Sequence, residues 1–217
     1  MESRDLSIDG MGNPWLNLPL EDYEGHMSAP GVEQLGVLSG LFREALAIRR
    51  PASVAILGIA GGNGLEHIDP AITKRVAGLD VNPRYLEEVR RRYPALSGME
   101  LHCIDLANQP VRLDPVELVH AGLVFEHAGV ELCLENALSL VTEGGALSVI
   151  LQLPAEAEPN VAATAYPSMQ SLKSYFSLVD PIGLRDRLIA RRFQVILETH
   201  RALPGTKRFW MGVFSRG

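Results

Sequence analysis

The sequence predicts an α/β fold: seven strands in a mostly parallel sheet, helices on both faces, and a closing pair of strands that run antiparallel or nearly so to one another. Three observations predict it. From residue 53 onward, short apolar β-branched runs alternate with helical patterns, the order of successive βαβ units. Successive strands end in Gly58, Asp80, Asp105 and Gly122, residue types that suit strand ends facing a ligand crevice. The last two apolar runs, 193–198 and 209–214, flank Pro204-Gly205 and lie too close for a helical crossover, so they must pair antiparallel or nearly so.

Taken in order, residues 1–50 form an N-terminal segment that begins irregularly, rich in Gly and Pro. It ends in a helix over 31–49, where Val32, Leu35, Leu38, Leu41, Phe42 and Ala45 recur at helical spacing. The core, 51–217, opens with a strand over 53–59 that breaks into Gly58, Gly61, Gly62 and Gly64, with a helix expected over 63–73. Such a loop can take positive φ and let a ligand lie on bare backbone, and the helix start would add free N–H groups and a positive dipole end. The same glycines also suit a turn made for packing alone. A strand over 75–80 ends in Asp80, and Pro83 opens a helix over 84–92. Strands over 99–104 and 116–123, a helix over 131–141 and a strand over 145–153 follow, and the whole chain is expected to be one domain.

Bulk properties exclude several classes. With 47% apolar residues and mean hydropathy +0.08, the chain has no run near the roughly 20 apolar residues of a membrane span. Its start, Met-Glu-Ser-Arg-Asp, lacks the basic-then-apolar order of a signal peptide, so a cytoplasmic location is expected. The net charge of −6 and three scattered lysines, Lys74, Lys173 and Lys207, argue against nucleic acid. Arginines cluster at 49–50, 90–92 and 191–192, each at the end of an expected helix, where cations offset the dipole. Cys103 and Cys133 are too few for a disulfide framework or a metal cluster, and both read as buried thiols; no metal is expected. Monomer and homodimer both stay open.

Asp80 follows the glycine loop at roughly the 20-residue spacing of the acid that holds ribose hydroxyls in nucleotide-binding α/β folds; as an alternative, it caps the next helix. The dinucleotide fingerprint Gly-x-Gly-x-x-Gly fits poorly. Counting from Gly58 the third residue is Ala60 and the sixth Asn63, and counting from Gly62 the sixth is His67.

On these residues the chain resembles the class I S-adenosylmethionine-dependent methyltransferases of small-molecule type, from residue 53 to the end. Leu57-Gly58-Ile59-Ala60-Gly61-Gly62-Asn63-Gly64 is similar to their first motif, Asp80 to their ribose acid, and Asp105-Leu106 to the pair that holds adenine. Gly122 falls in their fourth motif, Val124-Phe125-Glu126-His127 is similar to its closing Val-Leu-Glu-His, and Thr142-Glu143-Gly144-Gly145-Ala146-Leu147 to the turn before the fifth strand. The resemblance implies a Rossmann-like α/β/α sandwich whose last strand is the antiparallel one, S-adenosylmethionine as cofactor, and methyl transfer to a small-molecule acceptor. It places the cofactor on Gly58, Ile59, Ala60, Gly61 and Gly62, on Asp80 and Val81, on Asp105 and Leu106, and on Gly122. Two positions depart from the pattern: Ile56 stands where the family carries an acid that supports the cofactor's ammonium group, and Ala60 where it carries its second glycine. A nicotinamide-dependent oxidoreductase, and a non-catalytic cofactor-binding or partner protein of the same fold, are the alternatives.

The acceptor pocket is expected from residues 22–27 and from the long connection over 154–175, which reads as a lid. Tyr23 either closes over the cofactor or staples the N-terminal segment. A general base is needed only for an acceptor that holds a proton at neutral pH, and His127, Glu126 and His26 are the candidates. Alternatively, Glu126 and His127 only cap the segment after the fourth strand.

Overall fold

The computed structural model describes residues 12–156 and 158–217; residues 1–11, which carry the targeting expectation, lie outside this range. Seven strands, β1 (Ser53–Leu57), β2 (Arg75–Asp80), β3 (Met99–Cys103), β4 (Val116–Gly122), β5 (Val141–Gln152), β6 (Phe193–Ala202) and β7 (Arg208–Arg216), form one sheet in the order β3-β2-β1-β4-β5-β7-β6. All neighbouring strands pair parallel except at β7, which is antiparallel to both β5 and β6. The strand order reverses between β1 and β4, so a crevice opens outside their carboxyl ends, where open α/β sheets bind ligands.

Six α-helices accompany the sheet among the described residues: α1 (Leu20–Ser28), α2 (Gln34–Arg49), α3 (Pro83–Arg92), α4 (Phe125–Ala128), α5 (Glu131–Ser139) and α6 (Pro181–Ala190). On one face Leu134 and Ala137 of α5 and Leu184 and Leu188 of α6 bury against Val119, Val149 and Phe214. On the other, Leu41, Phe42 and Ala45 of α2 and Leu86 and Val89 of α3 bury against Ile56, Val76 and Ile150. Both α3 and α6 begin as their sequences dictate. Proline occupies the first turn, where no N–H is missed, and the Asn82 or Asp180 side chain accepts from the backbone just inside.

The expected helix over 63–73 does not form. Only a single 3-10 turn, Leu65–His67, follows the glycine loop, so the dipole end expected there is absent. Pro70 lies in the middle of that stretch, where it removes a helical hydrogen bond and disfavours helical backbone at Asp69. The space is filled from the N-terminal side: a Cβ on Gly64 would stand 2.7 Å from the Phe42 ring of α2. The Ser39 hydroxyl bonds both Glu66 and His67, at 2.7 and 2.8 Å, and the Asn63 amide donates to the Leu35 carbonyl at 2.9 Å. Cys103 also departs from expectation. It is exposed, because β3 is the edge of the sheet, whereas Cys133 in α5 is buried and its thiol is pushed up to about 12 by that burial.

Candidate functional site

A cleft of about 1020 Å³, counted to its mouth, lies over the carboxyl ends of the parallel strands. Gly58 and Ala60 after β1, Asp80 and Val81 at β2, Asp105 and Leu106 after β3, and Gly122 at β4 form its floor. Two of the glycines keep that floor shallow. A Cβ on Gly58, whose φ is +68°, would press on Val124 at 3.2 Å, and one on Gly122 would stand 3.3 Å from His120 Nε2.

Asp80 is the centre of the floor. Its Oδ2 accepts the Ala60 N–H and its Oδ1 the Asn82 N–H, each at 2.9 Å, which leaves further acceptor capacity on both oxygens. Burial raises its pKa to about 6, against the pull of the backbone N–H groups of Asn82 and Ala60. Ala60 is held left-handed, φ 46°, a conformation that costs an L-residue roughly 1–2 kcal/mol and here aims its N–H at Asp80. Ala60→Gly is therefore expected to raise stability by about 0.5–1 kcal/mol, the relief of strain being partly offset by the freer unfolded chain. Thermal unfolding checks this, and a lowered midpoint would contradict it.

Asp105 is fixed by its own turn, its Oδ1 accepting the Ala107 N–H at 3.0 Å and its Oδ2 the Asn108 side-chain amide at 2.9 Å. Asn82 ties floor to roof: its side-chain oxygen accepts the Arg84 N–H at 3.0 Å and its amide donates to the Trp15 carbonyl at 2.8 Å. The Tyr85 hydroxyl donates to the Leu18 carbonyl at 2.9 Å, so the start of α3 holds residues 15–18 over the cleft. Glu24 of α1 pairs with Arg92, whose guanidinium also donates to the Gly61 carbonyl at 3.2 Å.

The roof is aromatic. The Trp15 ring meets Tyr23 edge-on at 5.6 Å and His127 edge-on at 4.8 Å, and Phe176 meets the other side of His127 at 5.2 Å. Trp15 Nε1 and His127 Nδ1 are buried without a partner. Burial lowers the His127 pKa to about 4, so its ring is neutral at pH 7. The Tyr23 hydroxyl is held far above its ordinary range by burial and then by the charges of Asp80 and Glu24, and it stays protonated. His26 Nδ1 shares a hydrogen bond of 2.9 Å with Thr164 Oγ1; burial and the Lys207 charge both lower its pKa.

Most of the residues singled out from sequence meet in this cleft: Tyr23, His26 and His127 with Gly58, Ala60, Asp80, Val81, Asp105, Leu106 and Gly122. Four do not line it. The Ile59 side chain is buried in the core, and the space above Gly61 and Gly62 is taken by Glu24 and Tyr93. Glu126 lies beneath, 1% exposed, with Oε1 accepting the Gln152 N–H at 2.8 Å and Oε2 unpartnered; burial raises its pKa to about 7. Ile56, at the position of the missing acid, points into the core. Sequence reasoning passed over Trp15, Gln34, Gln152, Phe176 and Lys207, all of which line the cleft. For Lys207 a signal existed. An antiparallel β7 begins, rather than ends, at the carboxyl edge, which brings the 203–207 turn to the site.

Comparison with known proteins agrees with this geometry. The family model described as a methyltransferase domain matches residues 56–149. No curated protein sequence matches the chain. Among solved structures, the N-methyltransferase NodS from Bradyrhizobium japonicum WM9, in complex with S-adenosyl-L-homocysteine, superposes with TM-score 0.68 at 14% identity, over 94% of this chain and 99% of that one. Magnesium protoporphyrin IX methyltransferase (ChlM) from Synechocystis PCC 6803, with bound S-adenosylmethionine, superposes with TM-score 0.69 at 12% identity, over 97% and 100%. The [4+2]-cyclase SpnF superposes with TM-score 0.64 at 13% identity, over 87% and 85%. At these identities the structural likeness is one of fold. Residues 56–149 thus match a methyltransferase domain, and the chain shares its fold with solved S-adenosylmethionine- and S-adenosylhomocysteine-bound methyltransferases. No described helix is long and apolar enough to cross a membrane.

Proposed function

We propose that the cleft binds S-adenosylmethionine and that the chain transfers its methyl group to a small-molecule acceptor. The observation that carries this reading is Asp80: a buried carboxylate at the end of β2, its two oxygens steered by the Ala60 and Asn82 N–H groups and still able to accept two adjacent ribose hydroxyls. Val81, Asp105 and Leu106 flank the adenine. Gly58 and Ala60 present bare backbone to the amino-acid part, while Ile59, Gly61 and Gly62 shape the loop from below, and Gly122 keeps the β4 side open. Trp15 Nε1 and His127 Nδ1, both buried without partners, suit the polar atoms of a bound cofactor or acceptor. Bound there, the cofactor supplies a methyl group on a sulfonium.

What the chain contributes is orientation and exclusion of water. Trp15, Tyr23 and Phe176 close the cleft. A neutral His127 hydrogen-bonds without carrying charge, and His26 lines the acceptor side. Glu126, outside the cleft, positions Gln152 through its backbone N–H. With His127 titrating near 4, the site suits an acceptor whose nucleophile is already free of its proton at neutral pH. The reading includes a cytoplasmic location and a monomeric or homodimeric state.

Calorimetric titration with S-adenosylhomocysteine, with NAD as control, tests it. Micromolar binding of the first alone, about −8 kcal/mol, is expected. Binding of NAD alone would make the chain a nicotinamide enzyme, and binding of neither would favour the non-catalytic alternative.

A further inference from the structure

We propose that the acceptor carries a carboxylate and that Lys207 holds it. This inference rests on the cofactor reading above and adds to it the class of acceptor. Lys207 is 6% exposed, lines the cleft, and donates one hydrogen bond, at 3.1 Å, to the Asn160 carbonyl. Among the described residues its ammonium forms no ion pair. Glu158, the acid whose charge it feels, is engaged instead by the Thr206 N–H and hydroxyl, at 2.7 and 2.8 Å. An ammonium has three donors, and a buried one is stabilised by an anionic partner.

The surroundings are built for such a group. The Gln152 amide donates to the same Asn160 carbonyl at 3.1 Å, and the Gln34 amide donates to Gln152 Oε1 at 3.4 Å. Gln34 and Gln152 are 5% and 2% exposed, so they and Lys207 form a buried polar wall joined through the Asn160 carbonyl, and His26, 4% exposed, lines the same cleft.

Position separates this wall from the cofactor. In the sheet order β2-β1-β4-β5-β7, Asp80 ends β2 and Lys207 precedes β7. Three strand spacings of about 4.8 Å put the start of β7 roughly 14 Å from the end of β1, beyond the floor assigned to adenine and ribose. The reaction also fits. A carboxylate anchored at this wall orients the acceptor, and a separate nucleophile on it, already free of its proton, forms the new bond to the methyl carbon as the carbon–sulfonium bond breaks. The electron pair returns to sulfur and no proton moves.

The test uses the full chain saturated with S-adenosylhomocysteine and a panel of aryl and alkyl carboxylates, each paired with its primary amide. The wild-type protein should prefer the carboxylates by about tenfold or more. The preference should vanish in Lys207→Met and persist in Lys207→Arg, while affinity for S-adenosylhomocysteine stays unchanged in both. No carboxylate preference in the wild type, or an equal preference in Lys207→Met, overturns the inference while the cofactor reading stands. Loss of S-adenosylhomocysteine binding in Lys207→Met also overturns it, because Lys207 would then anchor the cofactor's own carboxylate. Failure of the wild type to bind S-adenosylhomocysteine at all overturns the cofactor reading instead.

Discussion

Asp80→Asn is expected to weaken S-adenosylhomocysteine binding about 100-fold, the loss of roughly 2–3 kcal/mol that follows when charged hydrogen bonds become neutral ones. The substitution keeps the shape and one acceptor oxygen, so the fold should survive, and thermal unfolding serves as its control. The same carboxyl sets a pH dependence. With a pKa near 6 in the free protein, Asp80 is protonated below that pH and loses an acceptor. Ribose hydroxyls favour the ionised form, so binding releases a proton and affinity rises as pH increases through 6. The asparagine variant should lack this rise. Equal affinity in wild type and variant, with the same pH profile, would remove Asp80 from the site.

Glu126→Gln should change stability in a pH-dependent way. The folded-state pKa of Glu126, about 7, lies above its unfolded value of 4.5. Stability from keeping this carboxyl protonated is therefore fully present below pH 4.5 and is lost as pH rises through 7. The shift is worth about 3 kcal/mol. Glutamine keeps the oxygen that accepts the Gln152 N–H and removes the ionisation. The variant should match the wild type near pH 4 and exceed it by about 2–3 kcal/mol near pH 8, read from denaturant unfolding at both pH values. His120 and His127, lowered to about 3 and 4 by burial, lose stability in the opposite direction as pH falls, but they do so equally in both proteins. A difference between the proteins that does not vary with pH would contradict the assignment.

Strands were the legible part of this fold. Each apolar run became a strand within a few residues of its expected bounds; for the inner strands β1, β2, β4, β5 and β7 this is because burial on both faces demands β-branched, apolar sequence. The short connection at Pro204-Gly205 forced the antiparallel end. The stretch over 63–73 misled because its apolar spacing suits a helix, while Pro70 overrode that spacing. In the site, Asp80 was legible from its distance to the glycine loop, a constraint the backbone imposes. Gly61 and Gly62 do not line the cleft because the loop curls under Glu24 and Tyr93, a tertiary contact with no local signature, and Ile59 does not because its side chain packs into the core beside Gly78. Trp15 and Phe176 come from segments without periodicity, and their place over the cleft depends on ties such as Asn82 to the Trp15 carbonyl. The exposure of Cys103 depended on β3 being an edge, a property of the strand order rather than of the strand.

A crystal structure of the protein with S-adenosylhomocysteine tests the central claim most directly. The account predicts both ribose hydroxyls within about 2.6–3.2 Å of the Asp80 carboxylate, and the adenine beside Asp105 and Leu106. A ligand bound elsewhere, or one whose ribose turns away from Asp80, would contradict it.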